Sequence, residues 1–172
     1  MRKLLLLLAV PFAGCAARPD LPSNPVPTEP VALVEADFAT VDAAIAANKG
    51  RVVLVDMWAS WCGPCVEKFP EFVDTHKKYA PHGLACVSVS LDRPTGHEAA
   101  LRLLDKWGAT FPNYVLRNAA RDEEQIVARF NYAGSIPHVA LFDKTGTRVW
   151  DRKQERLSTP ALHRLIEREL VK

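Results

Sequence analysis

Two cysteines, Cys62 and Cys65, are separated by two residues and lie after an apolar run, at the start of a helical pattern. A helix N-terminus stabilises a thiolate through its free N–H groups and its dipole, and the thiolate is the species that attacks a disulfide. The spacing brings the second sulfur within reach of the first, so Cys65 can resolve a mixed disulfide formed by Cys62. Pro64 suits the first helical turn because it has no N–H to leave unpaired there. The motif therefore predicts thiol–disulfide exchange.

Two other uses of such a pair fit this chain less well. Structural zinc needs two further ligands, and the sequence has no second closely spaced cysteine pair, so we expect no bound metal. A structural disulfide across so short a loop would gain little from loop closure. The other cysteines, Cys15 and Cys86, lie in unrelated surroundings, which argues against a disulfide framework.

The elements on either side of the pair must position it. Residues 51–58 form a short, β-branched, almost wholly apolar run, which is typical of a strand buried on both faces of a parallel sheet. Residues 62–79 repeat apolar side chains at helical spacing around Pro70, which we expect to kink the helix. A strand that leads into this helix places Cys62 at the helix start.

The rest of the chain alternates the same two kinds of element. We predict further helices over about 38–47, 98–107 and 122–130 and from 159 onward, and strands over 84–91, 114–116, 138–142 and 148–150. Alternating strands and helices that end in a hairpin and a helix predict an α/β fold with a central mixed sheet flanked by helices.

The first residues of the chain have the pattern of an export signal. Arg2 and Lys3 precede an apolar run of about ten residues, which is too short to span a bilayer. Small residues precede Cys15, and this segment resembles the bacterial lipobox, although Phe12 stands where leucine is usual. The resemblance implies a lipoprotein signal peptide over residues 1–14 and a lipidated Cys15; the alternative is cleavage elsewhere and an unpaired thiol.

A proline-rich stretch follows the signal. Residues 16–30 contain five prolines and almost no apolar periodicity, which excludes a regular helix or strand. We predict that residues 15–30 are a lipidated tether and that residues 31–172 form one domain. The formal net charge is only +2 and no basic run lies outside the N-terminus, so we expect no nucleic-acid binding.

The segment from Val55 to Cys65, VDMWASWCGPC, resembles the active-site segment of thioredoxins. Asp56 stands where thioredoxins have a buried aspartate, and Pro70 where they have the proline of the active-site helix. The pair Ile136-Pro137 stands where they have an Ile-Pro with a cis bond. The order of the elements extends the resemblance over about residues 34–172, and it implies a thioredoxin fold.

The body of the chain resembles one branch of that family. The segment between Asp92 and Ser135 is longer than in small thioredoxins and forms an insertion before the cis-proline strand. Together with the export leader, it resembles the TlpA/ResA-like extracytoplasmic thiol–disulfide oxidoreductases. Many of these have a different dipeptide between the cysteines and no aspartate at the Asp56 position, so this chain combines a thioredoxin-type site with a TlpA-type body.

The resemblance also implies roles for the residues of the site. Cys62 is the exposed attacking nucleophile and Cys65 the buried resolving thiol. A buried carboxylate is costly unless it has a partner or a task, and Asp56 is expected to take the proton from Cys65 as that thiol attacks. The alternative is a structural aspartate bound to the backbone. The lysine that accompanies this aspartate in many thioredoxins is replaced here by Ser88.

An extended protein substrate is expected to bind across the tip of the site. A cis Pro137 would remove a backbone donor beside the cysteines and expose neighbouring polar backbone to that substrate. The residues we expect to contact it are Trp61, Gly63, Pro64, Ile136 and Pro137.

Two residues keep open alternatives. His138 stands where thioredoxins usually have threonine, and it either tunes the thiols or packs within its strand. Cys86 lies within the predicted strand LACVSVSL, where it is either a small buried apolar residue or a third redox-active thiol.

These features predict a thiol–disulfide oxidoreductase that needs no cofactor. The leading hypothesis is a monomeric reductase of exported proteins, lipid-anchored on the periplasmic side of a bacterial membrane and recharged by a membrane electron-donor protein. The alternatives are a disulfide-forming oxidase, which uses the same chemistry in the other direction, and a tethered metal chaperone that uses the two thiols as ligands.

Overall fold

A six-stranded mixed sheet forms the centre of the molecule, in the order β1-β4-β3-β2-β5-β6. The structure, a computed structural model, describes residues 30–172. The strands are β1 (Val34–Ala36), β2 (Val52–Trp58), β3 (Leu84–Ser90), β4 (Asn113–Leu116), β5 (His138–Phe142) and β6 (Arg148–Asp151). Neighbours among β1 to β4 pair in parallel, whereas β5 pairs antiparallel with both β2 and β6.

Five α-helices within residues 30–172 cover the two faces of the sheet. They are α1 (Phe38–Ala46), α2 (Gly63–Tyr79), α3 (His97–Trp107), α4 (Glu123–Phe130) and α5 (Thr159–Leu170). Side chains of α2, α3 and α5 pack on one face and side chains of α1 and α4 on the other, which gives two apolar clusters. Because β2 and β3 are covered on both sides, all their residues are buried, and this explains their nearly continuous apolar sequences.

Strand β2 ends next to the cysteine pair. Its side chains alternate between the faces: Leu54 and Trp58 lie in the cluster under α2, and Val53 and Val55 lie in the cluster under α1 and α4. The parity of the strand therefore places Asp56 on the face that α2 covers. A short loop, residues 59–62, then leads into α2.

The predicted fold is confirmed, including the mixed sheet, the flanking helices and the segment before β5, which contains α3, β4 and α4. The predicted elements agree with the observed ones to within about two residues. Helix α2 continues through Pro70 as one element. The sequence did not predict β1, a three-residue edge strand that pairs only with β4 in the described part of the chain.

The predicted signal peptide, Cys15 and all of the predicted tether except Pro30 lie outside the described residues. Within residues 30–172 no helix has both the length and the apolar character needed to cross a membrane.

Candidate active site

Cys62 and Cys65 form a disulfide at the N-terminus of α2, with an S–S distance of 2.08 Å and a Cα–Cα distance of 5.2 Å. Cys62 is the N-cap residue, and its Sγ accepts a hydrogen bond from the Cys65 backbone N–H at 3.3 Å. The same N–H would stabilise a thiolate on Cys62 once the disulfide is reduced. Pro64 occupies the first turn, as its sequence position predicted.

The burial of the two sulfurs differs less than the sequence predicted. Cys62 was expected to be exposed, but in this oxidised form it is only 7% exposed, against 2% for Cys65. Cys62 is the more exposed of the two cysteines, as expected. The correction is that the difference in exposure is small. Gly63 and Pro64, between the cysteines, are exposed, because the helix start points them away from the sheet.

The loop before the disulfide is held by a buried aspartate. Asp92 lies just after β3, and its carboxylate accepts hydrogen bonds from the Ser60 backbone N–H (2.8 Å), the Ser60 hydroxyl (2.6 Å) and the Ser90 hydroxyl (2.7 Å). The next residue in the loop, Trp61, is 67% exposed. The two hydrogen bonds from Ser60 therefore fix the backbone that presents Trp61 beside the disulfide.

Aromatic rings pack beneath the site. The ring of Trp58 lies 4.6 Å from that of Phe69, and Phe69 stacks on Trp107 of α3 at 4.8 Å between centroids. Trp58 and Phe69 are fully buried. This cluster joins the end of β2 to the middle of α2 and so fixes the helix start relative to the strand.

Asp56 is 6% exposed, and its Oδ1 has no hydrogen-bond partner among residues 30–172. Removal from water raises its pKa from 3.8 to about 7, while the positive charge of Arg152 acts in the opposite direction. An aspartate with this pKa changes its protonation state near neutral pH, which is the condition for a general acid or base. The Oδ1, unpartnered among the described residues, favours this interpretation over the alternative of a structural aspartate bound to the backbone.

The residue beside Asp56 on β3 is Ser88, as the thioredoxin resemblance implied. Its hydroxyl donates to Asn113 Oδ1 at 2.7 Å and so does not donate to the carboxyl of Asp56. Ser88 therefore leaves Asp56 without a partner from the β3 side.

The Ile136–Pro137 peptide bond is cis, as the resemblance implied. Pro137 directly precedes β5, and because β5 runs antiparallel to β2, with Met57 opposite His138, it lies at the end of β2 that leads to the disulfide. Ile136 is partly buried between the two apolar clusters.

His138 faces away from Asp56. Its Nε2 lies 2.9 Å from the Phe130 carbonyl oxygen, and its ring meets the edge of Tyr132. Burial lowers its pKa, which favours the neutral ring. These contacts support the interpretation of His138 as a packed strand residue.

Cys86 is a buried free thiol within β3, and burial raises its pKa above the ordinary value for cysteine. A thiol that stays protonated in a closed core does not attack disulfides, so the structure supports the apolar packing role.

Two polar residues at this site were missed by the sequence analysis. Asp92 and Arg152 carry no motif, and their roles depend on which strands pair. The pattern Ser90-Leu91-Asp92 was the only local signal, since serine and aspartate at this spacing form short-range turns. Within the described residues no three His, Cys, Asp or Glu side chains are grouped to hold a metal ion.

The sheet order, the disulfide at the start of α2 and the cis proline before β5 define a thioredoxin-fold protein. Residues 24–147 match the AhpC/TSA family, and the chain belongs to that family.

Named relatives match part of the chain. The thiol-disulfide oxidoreductase ResA of Oceanobacillus iheyensis is 35% identical over 79 residues, which cover 45% of this chain and 38% of that protein. The chain spans about half or less of the length of these curated relatives. For the ResA of Geobacillus kaustophilus, the match covers 52% of that protein.

Solved structures agree on the fold. The thioredoxin domain of a thiol-disulfide oxidoreductase from Bacteroides vulgatus is 25% identical, with a TM-score of 0.56 over 71% of this chain and 81% of that one. A thiol:disulfide interchange protein from Chlorobium tepidum has a TM-score of 0.59 at 22% identity, over 73% of this chain and 83% of that one.

Proposed function

We propose that this protein is a thiol–disulfide oxidoreductase that reduces disulfides of exported proteins through the Cys62–Cys65 dithiol. The observation that carries the proposal is the disulfide at the N-terminus of α2, where Cys62 Sγ already accepts the Cys65 N–H. The names of the relatives, thiol-disulfide oxidoreductase and thiol:disulfide interchange protein, support the same chemistry.

The reaction has two steps. The Cys62 thiolate attacks a substrate disulfide, so that a Cys62–substrate bond forms and a substrate thiolate leaves. Cys65 then loses its proton to Asp56 and attacks Cys62 Sγ, which re-forms the Cys62–Cys65 disulfide and releases the second substrate thiolate. The substrate gains two electrons and the protein loses two, and a membrane electron-donor protein restores the dithiol.

The substrate is a protein segment that lies across the exposed tip of the site. The contact residues are those named in the sequence analysis: Trp61, Gly63, Pro64, Ile136 and Pro137. Exposure of the Trp61 ring and of the Gly63-Pro64 turn supports this placement, because a disulfide in an extended chain can approach the helix start only from that side.

The direction of the reaction is tested by the reduction potential. No cationic residue lies between the cysteines to stabilise the reduced thiolate, and an ionised Asp56 would oppose it. We therefore expect a potential near that of thioredoxin, about −270 mV, measured against a dithiothreitol or glutathione series. A value above about −180 mV would instead support the disulfide-forming oxidase.

Turnover is tested on insulin with dithiothreitol as the reductant. The full-length protein should accelerate insulin reduction, and Cys62→Ser should abolish the acceleration, whereas Cys86→Ala should retain it. Equal rates for wild type and Cys62→Ser would contradict the proposal.

Export and anchoring form a separate proposal. The pattern of residues 1–15 supports a lipoprotein that is held at the periplasmic side of a bacterial membrane through Cys15, with residues 15–30 as the tether. Labelling with palmitate in a bacterial host should mark wild type and leave Cys15→Ala unmarked. A wild-type protein that is unlabelled and fully released from membranes would contradict the anchor and leave the redox proposal intact.

A further inference from the structure

A cavity of about 390 Å³ lies against Asp56 on the face that α2 and α5 cover. Its lining includes Asp56 and also Lys68, whose side chain is 58% exposed, so the cavity connects the carboxyl with solvent. A water molecule needs only about 10–15 Å³ of such space and two or more polar partners. Hydroxyls and charged groups in the lining supply those partners.

A row of residues across the sheet forms the floor of this cavity. Asp56 of β2 pairs with Val139 of β5, and the Val139 carbonyl oxygen accepts the Arg152 backbone N–H at 2.9 Å. All three residues line the cavity. The backbones of Arg152 and Asp56 are thus two strand spacings, about 10 Å, apart, with Val139 of β5 between them.

Arg152 is the cation of this cavity that the protein leaves without an acceptor. Lys68 pairs with Glu71 at 2.6 Å, and Thr159 donates to the other Glu71 oxygen. The Arg152 guanidinium, by contrast, has no ion-pair or hydrogen-bond partner within residues 30–172, and Asp56 Oδ1 has none either. The buried carboxyl and the guanidinium are thus the two unmatched groups of one water-accessible space.

We propose that Arg152 is a positioning residue of the redox reaction, which acts across the cavity to keep Asp56 able to ionise, and that the cavity is the route by which the proton leaves the site. This inference rests on the proposed function, since it concerns the proton that Asp56 takes from Cys65. It places the cation on the β6 side of Asp56, whereas Ser88 on the β3 side supplies none.

The proton moves in step with the second exchange reaction. The Cys65 S–H bond breaks and an O–H bond forms on Asp56 as Cys65 attacks the Cys62–substrate disulfide. The electron pair of that S–S bond leaves with the substrate sulfur. Asp56 then passes its proton to water in the cavity, and the water delivers it to solvent or to the departing thiolate. The positive charge of Arg152 favours the ionised carboxylate that starts the cycle.

Other groups that face Asp56 leave this assignment unchanged. Helix α2 contributes the Lys68–Glu71 pair, whose opposite charges offset each other, and the two cysteines. Strand β3 contributes the Cys86 thiol, which burial keeps protonated. The cavity-lining residues of β5 and α5 are not ionisable. Arg152 is thus the uncompensated charge of this space.

The test titrates Asp56 in the oxidised full-length protein, where no turnover is needed. The ¹³Cγ shift of Asp56, assigned by its absence in Asp56→Asn, is followed against pH in wild type, Arg152→Gln, Arg152→Lys and Arg156→Gln. Arg156 is an exposed arginine outside the cavity and serves as the matched control. We expect Arg152→Gln to raise the midpoint by roughly half a pH unit or more, and the other two variants to stay near wild type.

The kinetic arm measures the resolving step. Reduced protein is mixed with one equivalent of 5,5′-dithiobis(2-nitrobenzoate), and release of the second thionitrobenzoate reports attack by Cys65. Arg152→Gln should be about 2–5-fold slower at pH 7 and approach the wild-type rate at higher pH. An Asp56 midpoint in Arg152→Gln equal to that in wild type would overturn the inference. A shifted midpoint in a protein that fails to reduce insulin would overturn the proposed function and leave the coupling between Arg152 and Asp56 standing.

Discussion

Two buried aspartates lie near the redox site, one within β2 and one just after β3, and their surroundings differ. Asp92, at the end of β3, accepts three hydrogen bonds from Ser60 and Ser90. Asp56, within β2, faces a cavity, and its Oδ1 lacks a partner among residues 30–172. A buried carboxylate with a full set of donors holds backbone in place, whereas one without donors costs stability and is free to exchange a proton. This difference supports the proposal that Asp92 positions the loop and that Asp56 takes part in the chemistry.

The largest effect that we expect from changing either aspartate is on the pH dependence of the free energy of unfolding. The pKa of Asp56 is about 7 in the folded protein and 3.8 as its ordinary value, so the folded state binds the extra proton between these limits. Stability therefore falls as pH rises from about 4 through 7. Asp56→Asn removes this loss, and its advantage over wild type should grow by up to about 4 kcal/mol between pH 4 and pH 8.

Urea unfolding of the oxidised proteins at several pH values measures this difference. Asp92→Asn is the matched control, since it makes the same chemical change in the other aspartate. If the stabilities of Asp56→Asn and wild type followed parallel curves against pH, Asp56 would not titrate as described.

The second effect is on the resolving step. Asp56→Asn removes the proposed proton acceptor for Cys65, and the loss of a general base costs about 100-fold in rate. Release of the second thionitrobenzoate at pH 7, in single-turnover experiments on the reduced protein, gives the rate. Asp92→Asn should stay within about threefold of wild type, and an equal loss in both variants would remove the distinction between the two aspartates.

The third effect concerns the structural aspartate. Asp92→Asn replaces one carboxylate oxygen by an N–H₂ group and removes the negative charge. The Ser60 hydroxyl can turn to accept from the N–H₂, so the variant mainly loses the charge-assisted strength of the three hydrogen bonds. We expect a loss of about 1–3 kcal/mol in the free energy of unfolding, measured in urea at pH 7. Stability equal to that of wild type would show that the three hydrogen bonds do not hold the loop.

The smallest effect tests how closely Asp92 is packed. A Cβ on Gly96 would lie 2.7 Å from Asp92 Oδ1, whereas a Cβ on Gly63 would meet nothing within 4 Å. Gly96→Ala should therefore cost about 1 kcal/mol of stability, and Gly63→Ala, used for stability alone, should cost less. In an Asp92→Ala background the Gly96→Ala penalty should disappear, because the carboxylate that causes it is absent. An unchanged penalty would place its cause elsewhere.

The elements that position the disulfide could be predicted from the sequence because each is long and periodic. Strand β2 is seven consecutive buried residues, and α2 repeats its apolar side chains over 17 residues. Strand β1 escaped prediction because three residues, of which only Ala36 is buried, show no period. It forms because its backbone can pair with the free edge of β4.

The site divides in the same way. The cysteines, Asp56 and Pro137 were recognised because they fall in one contiguous motif or match a known family at fixed positions. Asp92 and Arg152 were not, since their contacts depend on the strand order β3-β2-β5-β6, which brings residues far apart in the chain into one row. The burial of Cys62 was underestimated for a related reason. Its side chain is buried by tertiary packing in the oxidised form, which the local sequence does not show.

The most direct test of the account traps the intermediate on Cys62. Reduced full-length Cys65→Ser is mixed with insulin, and the adduct is mapped by mass spectrometry, with Cys62→Ser as the control. We predict a stable mixed disulfide on Cys62 in Cys65→Ser, and none on Cys65 or Cys86 in Cys62→Ser, because both of those thiols are buried. An adduct on Cys86, or normal catalytic turnover by Cys65→Ser, would contradict the assignment of Cys62 as nucleophile and Cys65 as resolving thiol.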